Sequence, residues 1–159
     1  MSRFTHFDED GRAHMVDVGT KADTERRAVA TGFISMSPET LALVTEGRMK
    51  KGDVFKVAEL AGIMGAKQTS SLIPLCHPLG LDHVSIKLEA DTDKGGINIT
   101  AECRLTAKTG VEMEALTAVS ITALTIYDMC KSSDKAMVIS EISLQHKSGG
   151  KSGTYDAKA

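Results

Sequence analysis

The chain has 159 residues, a length that suits one domain with a sizeable core. Charged residues make up 25% and hydrophobic ones 42%, and the formal net charge is -2, which argues against a general nucleic-acid binder with its strong basic excess. Aromatics reach only 4%, with no Trp, so a base-stacking platform is disfavoured as well.

Three scattered cysteines, Cys76, Cys103 and Cys130, form no CxxC pair. Free thiols in a reducing cytoplasm are expected, not a disulfide framework or a zinc site. The N-terminus is polar without an apolar signal core, and no uncharged run reaches membrane-spanning length. A soluble cytoplasmic protein is expected.

In chain order, residues 1–13 read as a flexible polar arm, 14–147 as a single α+β domain and 148–159 as a Gly- and Lys-rich mobile tail. "AVATGFISM" (28–36) reads as a strand. In "SPETLALVTEG" Ser37 suits a helix cap, Pro38 the first helical position and Gly47 the stop. "GDVFKVAELAGIMGAKQ" reads as a second helix capped by Asp53, with Ala58, Ala61, Gly62 and Gly65 permitting close approach to a neighbour. "IPLCHPLGL" is irregular, because Pro74 and Pro78 each remove a donor and bias the preceding residue to extended geometry.

Val84, Ile86 and Leu88 then alternate with polar residues, as do Ile97, Ile99, Ala101, Cys103 and Leu105. This period of two predicts strands with one buried face, joined as a hairpin by "DTDKGG". A long helix follows in "VEMEALTAVSITALTIYDMCK" (111–131), and "AMVISEISLQH" (136–146) reads as a last strand. The order predicts a ferredoxin-like α+β fold, an antiparallel sheet with helices packed on one face.

The long helix carries no charge from Ala115 to Tyr127, so it is expected to be buried on every side. A two-layer domain buries only one face of a helix, so the other face calls for a second copy of the chain. At its start, Thr109 and Glu112 fit the spacing of a capping box, and Glu114 fits a solvated first-turn acid. At its end, Asp128 and Lys131 share a face and fit a surface ion pair. Glu112 and Asp128 are separated by sixteen positions, about 24 Å along a helix. If both ends serve one ligand, Glu112 and Glu114 of one subunit must face Asp128 and Lys131 of its neighbour.

His77 sits in a turn stiffened by the flanking proline, which suits either a hydrogen-bonded loop histidine or a proton donor. Several lysines stand beside glycine, in "KKGD", "KTG" and "KSGGKSG", where open backbone and point charge favour an anion. "GGKS" is not a P-loop: Gln145 stands where its first glycine belongs, and no helix follows.

Taken together, "HMVDVG", "KKGDVF", "IPLCHPL", "LTAKTGVEMEALTA", "LTIYDMCK" and "KSGGKSG" resemble the cyclic pyranopterin monophosphate synthase (MoaC) family of molybdenum cofactor biosynthesis, from about His14 to Gly153. The resemblance implies a lyase that converts 3′,8-cyclo-7,8-dihydroguanosine 5′-triphosphate to cyclic pyranopterin monophosphate plus diphosphate. It implies a ferredoxin-like fold and a homohexamer, a trimer of dimers, with sites at the dimer interface. Carried over by motif, Asp128, Lys131 and Lys51 are the expected acid–base residues. A lysine among other cations is expected to have a lowered pKa. Leu75, Cys76, His77, Glu112, Met113 and Glu114 are expected around the substrate ring, and Lys21, Arg26, Lys147 and Lys151 at its triphosphate. No resident cofactor or dedicated metal site is implied; Mg2+ travelling with the triphosphate stays open. Judged without the resemblance, a nucleotide-sensing oligomer that does no chemistry is the competing reading, and turnover separates the two.

Overall fold

The computed structural model describes residues 6–8 and 10–158. Its elements are β1 (Thr24–Ser35), α1 (Pro38–Thr45), α2 (Val54–Lys67), α3 (Thr69–Leu72), β2 (His83–Asp91), β3 (Gly96–Ala107), α4 (Glu112–Cys130), β4 (Val138–Ser148) and β5 (Tyr155–Asp156). All pairings are antiparallel, in the order β2-β3-β1-β4-β5. The first four strands in this order follow the ferredoxin-like arrangement expected. No helix among the described residues is long and apolar enough to cross a membrane.

Local chemistry explains the first helices. The Ser37 hydroxyl accepts from Thr40 N at 3.2 Å, and Asp53 accepts from Lys56 N at 3.1 Å, each satisfying an otherwise orphaned amide. Gly47, at φ +66°, turns the chain out of α1. Strand β1 starts four residues before the apolar alternation does. Its early member Arg26 is 9% exposed and satisfies its guanidinium on the carbonyls of Ala107 and Lys108.

One face of the sheet carries the core. Ala28, Ala30 and Ile34 of β1 line up with Ile97, Ile99, Ala101 and Cys103 of β3, all at 0% exposure, beneath Ala115, Ala118, Val119 and Ile126 of α4. Helix α4 lies over β1, β3 and β4, while α2 lies over β2 and against α4. The approach is close because side chains are missing where the layers meet. A Cβ at Gly32 would stand 2.6 Å from Val119 Cγ1, one at Gly62 would stand 2.1 Å from Thr122 Oγ1, and one at Gly65 would stand 2.8 Å from Ile121.

Two expectations for α4 change here. The helix starts at Glu112 behind Val111 (φ −122°, ψ 24°), with no side-chain cap, so Thr109 and Glu112 form no capping box. The Arg26 guanidinium takes up the carbonyls of Ala107, the last residue of β3, and of Lys108, and the helix begins four residues beyond the latter, at Glu112. Nor is α4 buried all round in one chain: Leu124 is 55% and Met113 38% exposed, with Leu116 and Ser120 half-buried between them. Beside this stripe, Ile142 of β4 is 38% exposed.

The ends of the chain fold back. In the arm, Asp8 Oδ1 accepts from the amides of Asp10 and Arg12, and Phe7 bridges Ala13. Residues 1–5 and 9 of that arm lie outside the described residues. In the tail, β5 pairs with β4 through His146–Asp156 and Lys147–Tyr155. Beyond that short pairing β4 is irregular: its register against β1 slips twice, and Glu141 takes φ 57° with its carboxylate held by Lys94 at 2.6 Å.

Filling the α2–α4 contact should cost stability. Gly62→Ala is expected to lower the unfolding free energy by about 1–2 kcal/mol, the helix-propensity gain offsetting part of the overpacking. Gly80→Ala, where an added Cβ meets nothing within 4 Å, is expected to stay within about 0.5 kcal/mol of the parent. Denaturant unfolding of both variants checks the difference.

Candidate active site

The N-terminal end of α4 opens onto two cavities. One is a cleft of about 630 Å³ whose walls carry Lys21, Arg26, Lys108, Lys147 and Lys151 together with Glu112. The other is a pocket of about 240 Å³ walled by Leu75, Cys76, His77, Met113 and Glu114, with Val16 and Val18 opposite. Lys21, Thr109, Gly110 and Glu112 belong to both, so the cavities adjoin. All ten residues assigned to substrate by resemblance thus line one or other of two adjoining cavities.

Each wall has a local cause. The irregular 73–81 segment crosses the start of α4 and presents Leu75, Cys76 and His77 half-buried. His77 Nε2 lies 2.8 Å from Val16 O. A carbonyl only accepts, so Nε2 carries a proton and donates it to Val16 O. Glu112 folds back over Gly110, where an added Cβ would meet its carboxylate oxygen at 2.0 Å. In the tail, Gly149 (φ +97°) and Gly150 (φ +74°) press on the β1 backbone and the Arg26 guanidinium, closer than any Cβ would permit. This seats Lys151 and Ser152 at the cleft, and the Lys147 ammonium donates to the Ser152 hydroxyl.

The two glutamates differ sharply. Glu114 is 4% exposed, not the solvated first-turn acid its position suggested. Burial pushes its carboxyl up to about 7, with the Glu112 charge adding to the rise. Burial also raises the Cys76 thiol, again helped by Glu114, so Cys76 is a poor nucleophile and an apolar wall.

At the opposite end of α4 sits a separate cluster. Asp128 bridges two lysines: Lys131 Nζ lies 2.7 Å from Oδ1 and Lys51 Nζ 3.0 Å from Oδ2, with Lys51 also donating to the Asp128 carbonyl at 2.9 Å. The Lys131 hydrogen bond, then that of Lys51, holds the Asp128 carboxyl below its usual range. Asp128 in turn holds the Lys131 ammonium above its own, opposite to the lowered lysine expected. The reason is the partner: within one chain Lys131 faces a carboxylate rather than other cations. Neither of these two cavities includes Asp128, Lys131 or Lys51, and the cluster lies about 24 Å along the helix axis from Glu112.

Several wall residues escaped the sequence reading. Val16 and Val18 lie in an irregular stretch with no periodic signal, and His6 falls in the polar arm. Lys108 stood out only as a lysine beside glycine in "KTG".

Comparison with known proteins agrees with this arrangement of motifs. The sequence pattern of the MoaC family matches residues 15–150. A protein of Cereibacter sphaeroides (strain KD131) is 60% identical over 159 residues, all of both chains, and is named cyclic pyranopterin monophosphate synthase. Proteins with the same name from Dinoroseobacter shibae and Pelotomaculum thermopropionicum are 58% and 55% identical, each over 99% of this chain and over 100% and 93% of their own.

The buried glutamate has a pH signature. Folded, Glu114 keeps its proton up to about 7, whereas the ordinary value is 4.5. The folded state therefore binds more protons between these values, and its stability falls as pH rises through them, by about 3 kcal/mol in all. Glu114→Gln is expected to remove this slope, so its advantage in Tm over the parent grows from about pH 5 to about pH 8. Thermal unfolding across that range checks it; a constant difference would contradict the buried, proton-holding carboxyl.

Proposed function

The chain belongs to the MoaC family, and on that premise we propose that it is a cyclic pyranopterin monophosphate synthase of molybdenum cofactor biosynthesis. It rearranges 3′,8-cyclo-7,8-dihydroguanosine 5′-triphosphate into cyclic pyranopterin monophosphate and releases diphosphate. The observation that carries this reading is the junction at Glu112 between a cleft rich in ammonium and guanidinium groups and a smaller pocket with two carboxyls. A polyphosphate fits the first and a hydrogen-bonding heterocycle the second.

The roles follow from the chemistry. Lys21, Arg26, Lys147 and Lys151 bind the triphosphate and stabilise the charge that grows on the departing diphosphate. Glu114, holding its proton near neutral pH, donates to a ring acceptor, while Glu112 accepts. Asp128, Lys131 and Lys51 supply the proton transfers for ring rearrangement and for attack of a ribose hydroxyl on the α-phosphorus.

The acid–base cluster reaches the substrate from a neighbouring subunit. Within one chain it stands a helix length from the ring pocket, and the outer stripe of α4 with exposed Leu124 and Ile142 is an apolar face suited to a second copy. Val57, Leu60 and Met64 of α2 form another exposed apolar face, 44%, 59% and 58% exposed. Two such faces are what a trimer of dimers needs.

Asp128→Asn, Lys51→Ala and Lys131→Ala are each expected to cut diphosphate release from the cyclised precursor by at least about a hundredfold. Parental rates in any of them would remove that residue from the chemistry. The shared site has its own test, because inactive Glu112→Ala and Asp128→Asn chains, unfolded and refolded together, are expected to regain about one quarter of the parent's activity. A mixture as inactive as its components would place both ends of α4 in separate roles.

A further inference from the structure

Residues 15–22 join the N-terminal turn to β1 without regular structure, and only Val16 and Val18 are even half-buried. Yet this strap walls both cavities: Val16 and Val18 face the ring pocket, and Thr20, Lys21 and Ala22 line the cationic cleft. Strand pairing does not hold it. Its inner geometry is a pair of turns, with Gly19 N donating to Asp17 Oδ1 at 2.8 Å and Lys21 N to Val18 O at 3.1 Å. Among the described residues, two side chains tie its carbonyls to the body of the domain: His77 Nε2 to Val16 O and Lys108 Nζ to Gly19 O, each at 2.8 Å.

Lys108 stands just beyond the end of β3, beside the carbonyls that Arg26 holds, and its ammonium donates to a carbonyl of the strap. Its charge is directed at the carbonyl two residues before Lys21. A charge-assisted hydrogen bond in that place orders an exposed segment that burial does not.

We propose that Lys108 is a positioning residue that clips the 15–22 strap onto the site, and that this clip presents the Lys21 ammonium to the substrate's phosphates. Lys108 acts through the strap, and the measurable effect falls on substrate binding more than on turnover. The binding arm of this inference rests on the reaction proposed above; the structural arm does not.

Lys108→Met is expected to speed amide hydrogen exchange across residues 16–22 of the free protein, the Lys21 amide above all. It is also expected to raise KM for the cyclised precursor about tenfold, the order of one charge-assisted hydrogen bond, while kcat stays within about twofold. Lys108→Arg, which still donates to a carbonyl, is expected to restore both readings. In a Lys21→Ala background the KM effect of Lys108→Met is expected to vanish, because the clip then presents nothing. Additive KM effects with unchanged exchange would make Lys108 a direct phosphate contact and overturn the clip, as would unchanged exchange alone. Exchange needs no substrate, so it decides the clip even if the precursor is not turned over.

Discussion

The approach of α4 to its neighbours is the constraint on which the rest depends. Glycine at 32, 62 and 65 and alanine at 28 and 30 let the helix sink onto β1 and lie against α2 with almost no gap. A helix seated that firmly has one rotation and one register available to it. Both chemically active ends of the molecule are carried on it. Its first turn puts Glu112, Met113 and Glu114 at the cavities, and its last turn puts Asp128 and the flanking Lys131 beside Lys51.

The same seating divides the electrostatics. The first turn is driven inward, so Glu114 loses water and keeps its proton near neutrality despite the favourable field of a helix start. The last turn stays at the surface, where Asp128 is ionised between two ammonium groups. One helix thus holds a carboxyl that keeps its proton to about 7 at one end and a carboxylate bridging two ammonium groups at the other. Their separation makes the proposed sharing of a site between subunits a geometric requirement of the reading.

Much of this was legible in the sequence where a residue's role is local. Ser37 and Asp53 act as caps because their side chains reach amides three residues away. The alternation in β2 and β3 reports a sheet with one dry face, and the prolines at 74 and 78 mark the irregular segment behind His77. The failures are at places where distant chain decides. Thr109 and Glu112 have the spacing of a capping box, but α4 starts only at Glu112, after a segment whose preceding carbonyls are bonded by Arg26 from more than eighty positions away. Glu114 shares its pocket with residues of the 73–81 segment, and two side chains from distant chain, His77 and Lys108, meet the strap's carbonyls. Periodicity carries no trace of either.

The irregularity of β4 has a consequence for the protein in concentrated solution. An open strand edge is a template onto which another chain can add, and β5 covers only His146 and Lys147. Further along, the two register slips and the left-handed backbone at Glu141 distort the edge. Lys94, paired with Glu141 and lying 4.2 Å from the Phe33 ring centroid, places a charge beside it. An incoming strand would find a bent, charged edge with mismatched donors and acceptors. The β4 edge thereby resists extension by an added strand.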